Sequence, residues 1–207
     1  VNLSNQRYLD LEVKGYALPY TLMRTAKLSD QGSLLLAYTL RNIGGSSLFG
    51  LWAAHPLFNA DEHTRIELPD EVTQVVNVVD HPLWGEPDRL LDYPLAAGIA
   101  QRLDRVGDSL RKDYRKFYVP PEQRVSSAAL IQEDKGCALR LSMTGTFAPY
   151  LGVWVDEGTY PRGTTVALEP SSGYYDSLAT AIKNQRATVL LPGAVKTWWM
   201  EVRCERA

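Results

Sequence analysis

The chain has 207 residues, of which 45% are hydrophobic and 22% are charged, and its net charge is −2. This length predicts one domain, residues 1–207, that buries a sizeable core, and the absence of a basic stripe argues against a nucleic-acid partner. No apolar stretch approaches the roughly 20 residues that cross a bilayer. We therefore expect no membrane partner and a cytoplasmic location, and the sequence leaves the oligomeric state open.

Most of the chain has the pattern of short β-strands separated by turn residues. Strand-like runs occupy residues 33–41, 48–54, 65–68, 72–79, 116–119, 125–132, 137–143, 150–156 and 195–205. The segment NIGGSS at 42–47 predicts a hairpin between the first two runs. Residues 137–143 alternate apolar and polar side chains, which is typical of an antiparallel sheet with one buried face. The pattern predicts an all-β fold, an antiparallel β-sandwich.

Few segments have a helical pattern. A short helix is predicted over 176–184, with Asp176 as its capping residue, and a second helix within 96–111. The charged, proline-containing stretch 80–113 predicts a long ordered loop. Cys137 and Cys204 both lie in strand-like runs, which predicts two buried free thiols rather than a disulfide or a metal pair.

Two polar residues stand where apolar strands end. Glu169 follows the apolar run 164–168 and precedes a Pro-Ser-Ser-Gly turn, and His55 ends the apolar run 51–54. A partly buried carboxylate and an imidazole are suited to general base and acid catalysis. The two residues, with tryptophans nearby, indicate a sugar site. Taken alone, His55 also fits a hydrogen-bonded strand end, and Glu169 fits a solvated one.

Four segments, in order along the chain, resemble motifs of the galactose mutarotase-like superfamily, which contains the aldose 1-epimerases. Residues 51–58 (LWAAHPLF) resemble its histidine motif, and residues 166–178, with Glu169, resemble its glutamate motif. Residues 150–156 resemble the strand that precedes the glutamate. Residues 191–199, with Leu-Pro-Gly and then Thr-Trp-Trp, resemble the last strand of the same proteins.

This resemblance implies a large antiparallel β-supersandwich with one or two short helices. It also implies mutarotation, the interconversion of the α and β anomers of a hexose. In that family the histidine matching His55 is the general acid on the ring oxygen, and the glutamate matching Glu169 is the general base on the anomeric hydroxyl. No metal or organic cofactor is implied.

The partner that the resemblance implies is a small-molecule sugar, a hexose or a hexose derivative. Trp52, Tyr150 and Trp154 are candidate aromatic faces for stacking on it, and Asp156 is a candidate hydroxyl acceptor. From sequence alone the tryptophans also fit core positions. A phosphorylated hexose would need cations at the rim, and Arg162 is the local candidate.

The family pattern extends further at its amino end, where it carries a second histidine and an arginine that have no match here. The chain is therefore expected to be either an N-terminal truncation of a longer protein or a shortened homologue. A non-catalytic carbohydrate-binding protein is the alternative function, and a protein-binding sandwich is a third. A glycosidase or lyase is disfavoured because no carboxylate pair flanks a bond position.

Overall fold

A computed structural model describes residues 8–145, 147, 150–160 and 163–207 of the chain. Two large sheets face one another, and the strand pairings within the described ranges are antiparallel. Numbered in chain order, the larger sheet has the spatial order β1 (Tyr8–Lys14), β2 (Tyr20–Leu28), β3 (Leu34–Asn42), β15 (Val195–Arg206), β11 (Cys137–Gly145), β10 (Ser127–Gln132) and β6 (Thr64–Glu67).

The smaller sheet has six strands, and two further strands pair separately. Its spatial order is β5 (Leu57–Asn59), β13 (Thr164–Ser171), β12 (Tyr150–Glu157), β9 (Asp113–Tyr118), β7 (Gln74–Asn77) and β8 (Leu90–Asp92). The separate pair is β4 (Leu48–Gly50) with β14 (Thr188–Leu190), and a single short helix among the described residues, α1, spans Leu178–Lys183.

The core lies between the two sheets and follows from the alternation of side chains along each strand. Val153 and Val155 of β12 and Leu168 of β13 are fully buried on the inner face of the smaller sheet. They belong to one hydrophobic cluster with Trp198 and Met200 of β15, on the larger sheet. The predicted antiparallel, mainly β architecture is therefore confirmed.

The register of three central strands determines which residues share the opposite, outer face of the smaller sheet. Gly152 of β12 pairs with Glu169 of β13 on one side and with Tyr118 of β9 on the other. Two residues further along β12, Trp154 pairs with Lys116 of β9. Because directly opposed residues point to the same face of a sheet, these side chains are brought together from three strands.

Two predicted elements are absent. The hairpin predicted from 42–47 is wrong, because β4 pairs with β14 and not with β3. The helix predicted within 96–111 is also wrong. This range forms turns instead, in which Leu103 and Val106 are buried in the main core and the Leu103 amide donates to the carbonyl of Pro94. The predicted loop 80–113 is interrupted by strand β8.

The predicted helix near 176–184 is present, but its cap differs. Ser177 is the N-cap, and its side chain accepts a hydrogen bond from the Thr180 amide. Asp176 therefore has another role.

The two cysteines are free, as predicted, but the prediction that they are buried is wrong, since Cys137 and Cys204 are exposed. In the described part of the chain, no helix has the length and apolar character needed to cross a membrane.

Candidate functional site

Glu169 lies on the outer face of the smaller sheet, yet its side chain is only 4% exposed. The neighbouring residues of β13 explain its position, since Val166 and Leu168 point into the core and leave the carboxylate on the opposite face. Gly152, directly opposite, has no side chain, so the ring of Tyr118 lies close above that strand. The carboxylate is therefore enclosed by its neighbours within the sheet.

His55 reaches the same carboxylate from the irregular segment 51–56 that leads into β5. Its Nε2 lies 3.2 Å from Oε1 of Glu169, and its side chain is 48% exposed. The distance alone would permit a hydrogen bond, but Oε1 is buried and has no hydrogen-bond partner. We attribute the missing hydrogen bond to the orientation of the imidazole ring, because a hydrogen bond weakens steeply when the N–H does not point at the acceptor. Oε1 is thus an enclosed acceptor that is not hydrogen-bonded.

The second oxygen of Glu169 has a different partner. Nζ of Lys116 lies 2.9 Å from Oε2 and also forms an ion pair with Asp176. Burial lowers the pKa of Lys116, but the hydrogen bonds and charges of Asp176 and Glu169 outweigh it and raise the pKa above its ordinary value. The pKa of the neighbouring Tyr118 hydroxyl is also raised, first by burial and then by the negative charge of Glu169. The site therefore combines a charged amine with a neutral phenol.

An open cavity of about 520 Å³ adjoins this cluster. Ligand sites typically enclose roughly 300–1,000 Å³, so a single pyranose fits this volume. Glu169 does not itself line the cavity, but its carboxylate contacts two residues that do, His55 and Lys116. The lining residues are His55, Leu57, Asn59, Lys116, Trp154, Asp156, Tyr160 and Thr165.

Aromatic side chains form one wall of the cavity. The ring of Trp154 stacks against Tyr114, with centroids 5.2 Å apart, and Tyr160 lies 6.2 Å from it. Asp156, predicted as a hydroxyl acceptor, lines the cavity, and its carboxylate accepts hydrogen bonds from the amides of Thr159 and Tyr160. An aromatic face beside an oriented carboxylate is a chemically suitable surface for a neutral sugar.

Two other residues predicted to contact sugar lie outside this cavity. Trp52 packs between Tyr38 and Trp198, with ring centroids 5.0 Å from each. Tyr150 is buried and packs against Tyr174, 5.4 Å away. His55, Glu169, Trp154 and Asp156 are thus brought together, while Trp52 and Tyr150 are not. Arg162, the predicted rim cation, lies outside the described residues.

A second open cavity, of about 790 Å³, lies where β6 and β10 meet the turn around Pro94. Its three arginines are each engaged with acidic side chains: Arg65 with Glu67, Arg102 with Asp104, and Arg140 with Glu67 and Glu205. None of the residues predicted to bind sugar lines it. Within the ranges described above, no group of three or more His, Cys, Asp or Glu residues has a metal-binding arrangement.

Lys116 is the principal residue that the sequence analysis did not identify. It belongs to a local run of basic residues, Arg111 to Lys116, that is typical of a solvated surface. The sequence pattern that could have identified Lys116 is the alternation of side chains along β9. Tyr114, Lys116 and Tyr118 share one face of this strand, and the buried Arg115 and Phe117 lie on the other. That alternation identifies the face, but the partner strands come from distant parts of the sequence.

No family model and no curated protein sequence matches the chain. Solved structures do match over nearly its whole length. The Slr1438 protein from Synechocystis sp. PCC 6803 has a TM-score of 0.71 at 15% identity, covering 99% of this chain and 64% of that one. A candidate aldose 1-epimerase from Escherichia coli K12 has a TM-score of 0.65 at 20% identity, covering 97% and 65%.

A galactose mutarotase-like protein from Clostridium acetobutylicum also matches, with a TM-score of 0.59 at 13% identity over 97% of this chain and 62% of that one. The chain thus spans less than two thirds of the length of these three structures. At such identities the likeness concerns the fold. The chain has the galactose mutarotase-like fold that its motifs predicted.

Proposed function

We propose that this protein is a mutarotase, an isomerase that interconverts the α and β anomers of a hexose, with Glu169 as general base and His55 as general acid. The observation that carries the proposal is the state of Oε1 of Glu169. This oxygen is buried, has no hydrogen bond, and lies 3.2 Å from Nε2 of His55 beside a pyranose-sized cavity. The fold shared with a candidate aldose 1-epimerase supports the same assignment.

In the proposed reaction the anomeric hydroxyl takes the position beside Oε1 that the imidazole covers in the free protein. The Glu169 carboxylate accepts the proton of this hydroxyl, the bond between the anomeric carbon and the ring oxygen breaks, and the ring oxygen receives a proton from the His55 imidazolium. The products are an open-chain aldehyde, a neutral imidazole and a carboxylic acid. Concerted transfer avoids a free alkoxide, and positioned acid and base groups typically contribute roughly 10²–10⁴-fold in rate.

Closure of the ring reverses these proton transfers. Rotation about the bond next to the carbonyl carbon presents its other face to the hydroxyl that was the ring oxygen. Neutral His55 removes the proton of this hydroxyl as it attacks the carbonyl carbon, and the carboxylic acid of Glu169 returns its proton to the carbonyl oxygen. The other anomer is formed, and both side chains regain their starting protonation states.

Sugar binding is proposed to use the wall of the same cavity. Trp154 offers an aromatic face, and Asp156 offers a carboxylate whose direction is fixed by two backbone amides. Asn59, also at the cavity, adds an amide that both donates and accepts hydrogen bonds. The proposed partner is therefore a hexose or hexose derivative.

The test is to follow the conversion of α-D-glucose and α-D-galactose by polarimetry. Glu169→Gln removes the base but keeps the shape of the side chain, and we expect it to lower kcat by about 10²–10⁴-fold. Glu12→Gln, on the exposed strand β1, is the matched control and should retain the wild-type rate. A rate for Glu169→Gln equal to that of the wild type would remove Glu169 from the mechanism.

A second candidate function is carbohydrate binding without catalysis. The observation that favours it is the enclosure of Oε1 beneath His55, which keeps the base from solvent in the free protein. Sugar-dependent quenching of tryptophan fluorescence, measured under conditions in which no mutarotation is detected, would support binding alone.

A further inference from the structure

The amine of Lys116 lies between two carboxylates on the outer face of β9. It is 2.9 Å from Oε2 of Glu169 and also contacts Oδ1 of Asp176. The side chains of Lys116 and Glu169 are only 12% and 4% exposed. A charge removed from water must be compensated by a partner, so each of these buried ions depends on the other.

The two oxygens of Glu169 are thereby made different. Oε2 is held by the ammonium group, whereas Oε1 lies beneath His55 without a hydrogen bond. The ion pair fixes the plane of the carboxylate, so that one of its two equivalent oxygens faces the ammonium group and the other faces His55. The oxygen that is free to accept a proton is therefore fixed on the side of His55.

Asp176 is the second carboxylate that contacts the lysine. It stands immediately before the N-cap Ser177, in the turn that connects β13 to α1. With 42% of its side chain exposed, Asp176 is partly solvated, while Glu169 is enclosed. The raised pKa of Lys116 is consistent with an amine that stays charged against its burial because two carboxylates face it.

We propose that Lys116, held in place by Asp176, is a positioning residue for the general base of this site. Its charge compensates that of the enclosed Glu169 carboxylate, and its contact with Oε2 leaves Oε1 to receive the proton. The catalytic part of this inference rests on the proposed function. The electrostatic part concerns the free protein and can be measured without any substrate.

The groups that face Glu169 come from four parts of the chain. Strand β9 contributes Lys116 and the Tyr118 hydroxyl, which is neutral because its pKa is raised by burial and by the charge of Glu169. The segment before β5 contributes His55, and the turn after β13 contributes Asp176. Strand β12 contributes Gly152, which carries no charge. Lys116 is the enclosed cation of this set, since the imidazole of His55 is half exposed.

The first experiment measures the ionisation of Glu169 directly, by carbon NMR of protein labelled with ¹³C at the glutamate carboxyl. The Glu169 resonance is identified by its loss in Glu169→Gln. In Lys116→Met we expect its titration midpoint to rise by about one to three pH units, the effect of losing an opposite charge at this distance. Lys116→Arg should stay closer to the wild type, and Lys27→Met, on an exposed position of β2, should not move the midpoint.

The second experiment measures kcat/KM for mutarotation against pH. We expect the low-pH limb of the Lys116→Met profile to move upward by the same interval as the NMR midpoint, so that activity falls most at acidic pH. A merely structural role would lower activity equally at every pH and leave the limb where it is.

The outcomes separate the two proposals. An unchanged Glu169 midpoint in Lys116→Met overturns the present inference, whatever the activity. A raised midpoint in a protein whose wild type converts no hexose supports the electrostatic role of Lys116 and refutes the mutarotase proposal. If Lys116→Met loses its folded circular dichroism spectrum, Lys116→Gln, which also removes the charge, takes its place. A Glu169 midpoint raised by about one unit or more in Lys116→Gln supports the role of the cation, and a smaller change overturns it.

Discussion

The ring of Tyr118 occupies the space in which Gly152 would carry a Cβ atom. A Cβ built there would lie 2.7 Å from Cζ of that ring, a distance that real side chains do not tolerate. The ring has little freedom to move away, because it is buried and lies against Tyr174 and Tyr175, with centroids 5.7 and 5.5 Å away. This close approach brings Tyr118 next to Glu169, the other register partner of Gly152.

Gly152→Ala should therefore destabilise the protein. Overpacking of a filled site costs about 1–3 kcal/mol, and a displaced Tyr118 ring would also disturb Glu169. The free energy of unfolding in urea measures the first effect, and the mutarotation rate measures the second. Gly45→Ala is the control, because a Cβ there meets no atom within 4 Å. Equal stabilities of the two variants would show that the Tyr118 ring yields easily.

Trp154→Ala should weaken sugar binding more than it slows the reaction. If the indole is a stacking platform, its loss removes contacts made equally in the ground state and the transition state, which raises KM and leaves kcat nearly unchanged. An aromatic contact of about 0.5–1.5 kcal/mol corresponds to an increase in KM of about 2- to 12-fold. Trp199→Ala, at an exposed position of β15, is the matched control. A lower kcat with an unchanged KM would contradict the role in binding.

Arg115→Met should be strongly destabilising. The guanidinium and the carboxylate of Glu157 are both almost fully buried, 2.8 Å apart, and Glu157 also accepts the amide of Gly107. Without Arg115, the buried Glu157 carboxylate keeps only the half-exposed Arg111, 3.5 Å away, as a cationic partner. Removing one member of a buried pair typically costs about 3–5 kcal/mol. Chemical denaturation measures the loss.

The control for this prediction is a surface ion pair. Arg203 pairs with Glu205 on β15, where its side chain is about half exposed. Arg203→Met should cost at most about 1 kcal/mol, because exposed pairs contribute little. Comparable losses in the two variants would mean that water or Arg111 compensates the charge of Glu157.

Buried tyrosines predict a loss of stability at alkaline pH. The Tyr93 hydroxyl donates to the Ile66 carbonyl, 2.9 Å away, and burial, assisted by the charge of Asp104, raises its pKa. The native state therefore keeps this proton to higher pH than the unfolded chain, in which tyrosine titrates near about pH 10. The contribution of Tyr93 to the free energy of unfolding is fully present below that pH. It falls as the pH rises further, because the unfolded state loses its proton first.

Tyr93→Phe tests this relationship. The variant should be less stable at neutral pH, where the hydrogen bond is lost, but its free energy of unfolding should fall less steeply above about pH 10. Tyr16→Phe, at a fully exposed position, should reproduce the wild-type slope. An unchanged slope in Tyr93→Phe would show that this phenol ionises at the same pH in both states.

The two proposed catalytic residues were accessible to sequence analysis because each is marked locally. His55 and Glu169 end apolar runs, and each lies within a motif of several consecutive residues. Lys116 has no such mark. Its contact with Glu169 depends on the spatial order β13-β12-β9. The pairing of strands that are distant in sequence cannot be predicted from the residue pattern of any single strand.

Alternation along a strand predicts a face, but not how far the opposite sheet covers it. Cys137 and Cys204 share the inner face of the larger sheet with the buried Leu141 and Met143, yet both thiols are exposed. They lie where β11 and β15 extend beyond the core. The predicted helix within 96–111 failed for a related reason, because its apolar residues are buried through turns anchored on neighbouring strands.

The ion-paired state of Lys116 has a chemical consequence for the proposed binding of a reducing sugar in this cavity. An open-chain aldose condenses readily with an uncharged primary amine, and the resulting Schiff base would block the site by glycation. A lysine forms such adducts only as the free amine. Glu169 and Asp176 hold Lys116 in its ammonium form. Under the proposed function, the same two contacts would therefore also protect the protein from covalent modification by the open-chain aldose.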